Sequence, residues 1–385
     1  MGRRNEIALY APWANAFYER EAPHPERGGG GAEVQMVQLA RALGESGLRV
    51  AHVVFPVSDP LRGPSDPVLV QRALPHRGIG PLGSLAEPFR VWGAMLRARA
   101  KIYLFRGSGR HVVAAALFCR VMRRKLVFSG SNDFDFAEER PGYSRTSIAL
   151  YRWAVARANA IVAQSRQQLE QARRSFPKVK RIAMIPSFAE PTEPVGESPE
   201  AYLWVGRLVD YKRPLSYVEL ARALPEIPFR MVYVRKTAPA SEELERSVIA
   251  AAEEVPNLEL LPSRPRRDLM SLVERAVAVV GTSEFEGMPN VFLEAWARGV
   301  PVISLSFDPD GIVAQRELGI CAQGSWERFV KAAERLWEDE QLRVRLAGNA
   351  RAYLRSIHYP AVVAGQWLEL IGDLLGTDDP EAERG

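Results

Sequence analysis

Gly281-Thr-Ser-Glu-Phe-Glu-Gly-Met-Pro-Asn290-Val-Phe-Leu-Glu294-Ala-Trp-Ala-Arg-Gly299-Val-Pro-Val-Ile-Ser-Leu305 is the stretch that decides the fold. Ala276 to Val280, just before it, is an apolar run rich in β-branched residues, the pattern of a parallel strand buried on both faces. Val300 to Leu305 is a second such run. Between them one helix is expected, starting near Asn290 and stopping at Gly299, where glycine accepts the left-handed conformation of a helix end. The unit is therefore strand, loop, helix, strand. Two acids frame its turn: Glu286 in the loop at the carboxyl end of the strand, and Glu294 about one turn into the helix. Ligands of open α/β sheets bind at that edge. A helix start there offers unpaired N–H groups to an anion. A ligand part anionic and part rich in hydroxyls, such as a nucleotide sugar, fits both acids and helix start.

The chain has 385 residues, enough for two ordinary domains with full cores. Its 25% charged and 47% hydrophobic content exclude a disordered chain. Two cysteines, Cys119 and Cys321, form neither a disulfide framework nor a metal-ligand spacing, which points to a reducing cytosol. The polar start, Met1 to Glu6, leads into no signal-peptide pattern, and the apolar run His111 to Cys119 is too short to span a bilayer. Charge is unevenly placed. Residues 1–190 hold 29 Lys and Arg against 15 Asp and Glu, a net +14, whereas the remainder holds 22 against 31, a net −9. A basic first half implies an anionic partner, either a membrane surface or a phosphorylated lipid, or else only solvated helix faces. Nucleic acid is disfavoured, because no groove-reading or aromatic-interleaved motif accompanies the arginines.

Taken in order, Glu6–Tyr10 reads as a strand, followed by a loop ending in Arg27-Gly28-Gly29-Gly30-Gly31, a helix over Glu33–Leu43 and a strand over Val50–Val54. The glycine loop allows a phosphate to approach a helix N-terminus, although a merely flexible loop reads the same way. It matches neither the dinucleotide fingerprint nor a P-loop. Strands at Lys101–Phe105 and Lys125–Phe128 each end in polar residues: Arg106-Gly-Ser-Gly and Ser129-Gly-Ser-Asn132-Asp133-Phe-Asp135. Helices at His111–Met122, Thr146–Arg157 and Gln167–Ser175, with a strand at Ala160–Ala163, complete a first doubly wound domain. Pro186–Pro199 reads as a linker. The alternation then restarts: strands at Tyr202–Val205, Phe229–Val234 and Leu258–Leu261, and helices at Leu215–Leu224, Ser241–Glu254 and Arg266–Val273. Helices at Gln315–Leu318, Ser325–Asp339 and Gln341–Ser356 follow the opening unit. A last helix at Ala361–Leu375 precedes an acidic tail, residues 377–385, expected to be disordered.

Three motifs carry a family resemblance. They are Glu286-Gly-Met-Pro-Asn-Val-Phe-Leu-Glu294; Val205-Gly-Arg207-Leu-Val-Asp-Tyr-Lys212; and Gly30-Gly31 with Leu39-Ala-Arg-Ala-Leu43 and Gly47. In this order and spacing the chain resembles the GT-B glycosyltransferases, and more narrowly family 4 of the retaining enzymes. The resemblance covers nearly the whole chain. It implies an α/β fold of two doubly wound, Rossmann-like domains facing each other across a cleft. Residues 1–190 would form the acceptor domain, completed by a returning helix over 361–376, and residues 191–360 the donor domain. It implies transfer of a sugar from a UDP- or GDP-sugar, with retention, to a glycan or lipid-linked acceptor in polysaccharide, glycolipid or other glycoconjugate synthesis. The nucleotide sugar is a substrate, and no metal or other cofactor is expected; the five histidines are scattered.

Breaking an anomeric bond to a diphosphate builds charge on the leaving phosphate, and Arg207 and Lys212 are suited to stabilise it. The resemblance assigns them to the diphosphate, Glu294 to the ribose hydroxyls, and Glu286 to the sugar, helped by Gly287, Met288, Pro289 and Asn290. Gly30 and Gly31 would face the donor from the first domain. An acid at a helix start also stabilises that helix, so a capping role for Glu286 stands beside the sugar contact. Two carboxylates suit a hydrolase too, but the cations and glycine loop favour a phosphate-bearing donor. One departure stands out: many members carry a sugar-contacting histidine after the strand at Lys125–Phe128, and this sequence has none. Asn132, Asp133 or Asp135 takes that contact, or the acids only cap the next turn. Arg106 would bind a donor or acceptor phosphate, or form a structural ion pair. A GT-B epimerase and a non-catalytic GT-B binding module are the competing readings. The expected setting is the cytosol, with peripheral contact at the inner membrane face through the basic domain.

Overall fold

A computed structural model describes residues 4–18, 30–56, 68–72, 81–107, 109–137, 143–193, 198–234 and 239–376. The chain divides into two compact units, Met1–Phe188 with Pro360–Gly385, and Ala189–Tyr359. The glycines Gly28 and Gly29, part of the linker stretch and the acidic tail lie outside the described residues.

The first unit is built on seven parallel strands: β1 (Asn5–Tyr10), β2 (Val50–Val54), β3 (Val68–Arg72), β4 (Ala100–Arg106), β5 (Lys125–Ser129), β6 (Ala160–Ala163) and β7 (Ile182–Met184), in the order β3-β2-β1-β4-β5-β6-β7. Alternate strand residues feed two cores, as period-2 geometry requires. On one face Tyr103, Phe105, Leu126 and Phe128 pack under α2 (Pro81–Ala98), α3 (Arg110–Val121), α4 (Arg145–Val155) and α5 (Arg166–Ser175). On the other, Ile102, Leu104 and Val127 pack with Met36, Leu39 and Leu43 of α1 (Gly31–Glu45). The C-terminal helix α13 (Pro360–Gly376) joins this second core through Val363, Trp367, Leu370 and Leu374. Lys125 donates to the Leu374 carbonyl and so closes the last turn of α13.

The second unit is a six-stranded parallel sheet of β8 (Ala201–Arg207), β9 (Phe229–Val234), β10 (Leu258–Pro262), β11 (Ala276–Gly281), β12 (Val302–Ser304) and β13 (Gly319–Cys321), in the order β10-β9-β8-β11-β12-β13. One face packs α6 (Pro214–Ala223), α7 (Pro239–Glu253) and α11 (Trp326–Glu338) on Tyr202, Trp204, Phe229 and Met231. The other packs α8 (Arg266–Glu274), α9 (Asn290–Ala297) and the end of α12 (Glu340–Ile357) on Leu203, Val232 and Val279.

Four elements escape the sequence pattern. Helix α2 contains Pro88 and two glycines, which read as breakers, yet packing of Val91, Ala94, Met95 and Ala98 holds it helical. Strands β3, β7 and β13 are short edge pieces whose pairing comes from the neighbouring strand. The helix expected over Gln315–Leu318 sits earlier, as α10 (Ile312–Gln315), because Glu317 at φ 48° ends it and Gly319 opens β13. The described residues of the linker stretch, 186–193 and 198–199, form no regular element, but the first of these segments is tied down. Gln35 exchanges two hydrogen bonds with the Phe188 backbone (2.6 and 2.9 Å), and Thr192 N donates to Ala297 O.

Candidate active site

In the second unit α6 and α9 leave adjacent strands, β8 and β11, toward opposite faces of the sheet. This is a topological switch point, where the carboxyl ends of two strands leave a crevice. Arg207 is the last residue of β8. The chain then makes a single 3-10 turn over Asp210–Lys212, with Arg213 left-handed (φ 47°) at its end, so that Pro214 can open α6. From β11 the chain runs Thr282 to Pro289 into α9. Pro289 offers no side-chain acceptor to cap that helix, and its carbonyl accepts from Phe292 N (3.0 Å) and Leu293 N (3.3 Å) to start the first turn.

Two hydrogen bonds lock the strand ends together: Thr282 Oγ1 donates to Lys212 O (2.6 Å), and Trp204 Nε1 donates to Thr282 Oγ1 (3.0 Å). Glu284 N donates to Tyr211 O (2.9 Å), and the Tyr211 and Phe285 rings stack at 4.9 Å. These contacts hold the two loops as one body. On that body Lys212 and Glu286 form an ion pair, each side chain only 17% exposed, and Ser283 Oγ donates to the same Glu286 oxygen at 2.9 Å. Arg207 stands at the exposed rim and reaches the Tyr211 hydroxyl (3.3 Å). Glu294, on α9, pairs with Arg266 of α8 at 2.6 Å. Beside the Lys212–Glu286 pair a cavity of about 20 Å³, room for one water, is lined by the polar Lys212, Glu286 and Ser283 and by the apolar Val205, Val280 and Phe292.

Close approach explains two glycines. A Cβ on Gly281 would sit 2.7 Å from the Phe292 ring, and one on Gly206 would sit 2.8 Å from the Trp204 ring and 3.2 Å from Lys212. Gly287, Met288 and Pro289 are buried and carry the turn that aims α9.

The structure thus brings together Arg207, Lys212, Glu286 and the Gly287–Asn290 turn. Sequence reasoning assigned Lys212 and Glu286 to different parts of a ligand, and the structure pairs them with each other. It missed Ser283, the Tyr211–Phe285 stack and Arg266. Ser283, three residues from Glu286, had a local signal; Arg266, 28 residues from Glu294, had none.

In the first unit Gly30 caps α1 with extended backbone, and Glu33 folds back over it. Arg106 ends β4, and its Nε is sealed from solvent. Burial lowers its pKa to about 10 against the opposing pull of Glu33 and Asp135. Asp135 is buried, and its carboxylate accepts from Ser131 N (2.6 Å), Ser131 Oγ (2.8 Å) and Asn132 N (3.2 Å), a turn-capping arrangement. Asp133 accepts from Gln168 (3.1 Å). Of the two readings of this segment, the geometry at Asp135 is that of the cap. Among the described residues no group of three or more His, Cys, Asp or Glu could hold a metal.

Residues 189–353 match the family model described as glycosyl transferases group 1, and residues 30–187 match the glycosyl transferase 4-like domain. Similar curated proteins include the lipopolysaccharide core biosynthesis glycosyltransferase LpsE of Rhizobium meliloti (strain 1021), 33% identical over 94 residues, 24% of this chain and 28% of that protein. The D-inositol 3-phosphate glycosyltransferase of Corynebacterium glutamicum (strain R) is 27% identical over 189 residues, 47% of this chain and 45% of that protein. The match spans less than half the length of each of these relatives. Among solved structures, sucrose-phosphate synthase from Thermosynechococcus elongatus superposes with a TM-score of 0.75 at 17% identity, covering 97% of this chain and 100% of that one. Anabaena HepE in complex with UDP and glucose gives 0.70 at 17%, covering 96% and 100%. The fold is GT-B.

Proposed function

The chain belongs to the group 1 glycosyl transferases, and on that premise we propose that it transfers a sugar from a nucleoside-diphosphate donor to an acceptor, with retention at the anomeric carbon. The observation that carries this reading is the Lys212–Glu286 pair beside the start of α9, with Arg207 at the rim of the same loop, at the switch point between β8 and β11. The helix start and the two cations stabilise the charge that gathers on the departing diphosphate. Glu294 binds the ribose hydroxyls. Glu286, held by Lys212 and Ser283, positions the sugar and does not attack it. The departing phosphate takes the acceptor proton, so neither a protein nucleophile nor a metal is required.

UDP-glucose is the first donor to test, since the HepE structure is in complex with UDP and glucose. The acceptor is a glycan or lipid-linked precursor in polysaccharide or glycolipid synthesis, a reading supported by the likeness to LpsE. Gly30, Gly31, Arg106 and Asn132, at the carboxyl edge of the first sheet, contact the donor phosphate or the acceptor. Thermal-shift screening of UDP-, GDP- and ADP-sugars, followed by turnover assays, tests the proposal. One donor should raise the melting temperature, with about 2.7 kcal/mol of stabilisation at a hundredfold excess over its Kd. Glu294→Ala and Arg207→Ala should abolish that shift and the turnover; if both persist unchanged, the site is wrongly placed.

A further inference from the structure

Helices α2, α3 and α4 lie side by side on one face of the first sheet, and their outer surface is unlike the rest of the molecule. Phe89 is 78% exposed and Val121 63%, with Leu96, Leu117 and Leu150 also exposed on the three helices. Large apolar side chains usually stand singly on a surface; here five share one helical layer. Arginines surround them. Residues 87–99, 110–124 and 143–157 contain ten arginines and a single acid, Glu87.

Arginine content alone does not explain this. In the second unit several arginines sit in acid pairs, Arg222 with Glu219 and Glu254, Arg230 with Glu200 and Glu259, Arg298 with Glu274, and the exposed ones outside such pairs, Arg264, Arg316, Arg345 and Arg355 among them, are interspersed with acids along the chain. On the three-helix face Arg99, Arg120, Arg123 and Arg145 are exposed and have no acidic partner among the described residues. Arg99 and Arg123 also hold left-handed backbone (φ 46° and 50°) at the ends of α2 and α3, positions where glycine is the less strained residue.

We propose that the outer face of α2, α3 and α4 is a docking surface for an anionic lipid bilayer. The charge selects the occupant. Guanidinium groups reach lipid phosphates while their stems lie along apolar surface, and Phe89, Leu96, Val121 and Leu150 enter the headgroup boundary between them. Nucleic acid would use the cations but leave the aliphatic side chains exposed. No helix of the described residues is long and apolar enough to cross a membrane, so the contact lies in the plane of the bilayer. The inference is independent of which sugar the enzyme transfers.

Sedimentation of the full chain with vesicles tests it. The chain should bind vesicles containing phosphatidylglycerol and not vesicles of phosphatidylcholine alone, and salt should weaken the binding. Arg120→Gln with Arg123→Gln and Arg145→Gln should lower partitioning on the order of a hundredfold, from the usual gain per basic residue at an anionic surface. Phe89→Ser with Val121→Ser and Leu150→Ser should lower it at least tenfold at constant charge. The control Arg173→Gln with Lys178→Gln and Lys180→Gln removes the same charge elsewhere in the unit and should retain most of the binding. All six changed positions on the face are solvent-facing, and unaltered thermal unfolding verifies that the variants fold. The proposal is overturned if the wild-type chain ignores anionic vesicles, if the control loses as much as the face variants, or if the face binds single-stranded RNA and not lipid.

Discussion

Replacing Lys212 by methionine separates what the Lys212–Glu286 pair does for the fold from what Lys212 does for the reaction. Methionine keeps the stem that passes under Gly206 and removes the charge. Unit charges at hydrogen-bond range attract by roughly 5 kcal/mol gross at an effective dielectric constant of about 20, and the cost of removing both from water offsets most of it. Glu286 would be left 17% exposed, with Ser283 as its remaining side-chain partner. Stranding a fully buried charge costs about 3–5 kcal/mol, and the residual exposure here reduces this to about 1–3 kcal/mol. Urea unfolding should show that loss in Lys212→Met. Adding Glu286→Gln should recover about 1–2 kcal/mol of it, because the neutral amide needs no cation. Activity should behave differently. Removing a group that stabilises transition-state charge lowers kcat about 10²–10³-fold, and the second substitution should restore none of it. A double mutant that regains turnover along with stability would refute the assignment of Lys212 to the leaving diphosphate and leave it as a structural cation only.

Two further predictions rest on packing and burial. Gly281→Ala forces a methyl group to 2.7 Å from the Phe292 ring, at the point where β11 hands over to the site loop. It should destabilise the second unit by about 1–3 kcal/mol and raise the donor KM, whereas Gly348→Ala, which meets nothing within 4 Å, should be neutral or stabilising. His52 is fully buried against the Tyr18 hydroxyl (2.6 Å), and burial lowers its pKa to about 3. The folded state keeps this imidazole neutral while the unfolded chain protonates near pH 6.5, so its contribution falls as pH drops from about 6.5 toward 3. Between pH 7 and 5 the loss is about 2 kcal/mol, measurable by chemical denaturation; His52→Gln should flatten that part of the profile.

The local unit around Gly281–Leu305 was legible because its signals are short-range. A β-branched run, a glycine stop and an acid-framed turn fix strand, helix and loop within 25 residues, and the same alternation outlines both sheets. Strand β3 and helix α2 were not legible: the breakers Pro88 and Gly93 oppose a helix that only burial against the sheet sustains. The residue types at the site, two cations and two acids, were already readable as candidates for a ligand part anionic and part rich in hydroxyls. Which charges meet was not. Lys212 reaches Glu286 across 74 residues and Glu294 meets Arg266 across 28, because β8 and β11 are neighbours in the sheet and α8 packs beside α9. Net charge by halves was likewise a property of the sequence alone. Its concentration on one helical layer, with the apolar side chains that accompany it, arises only when three amphipathic helices turn their buried sides to one sheet and leave arginines on the other.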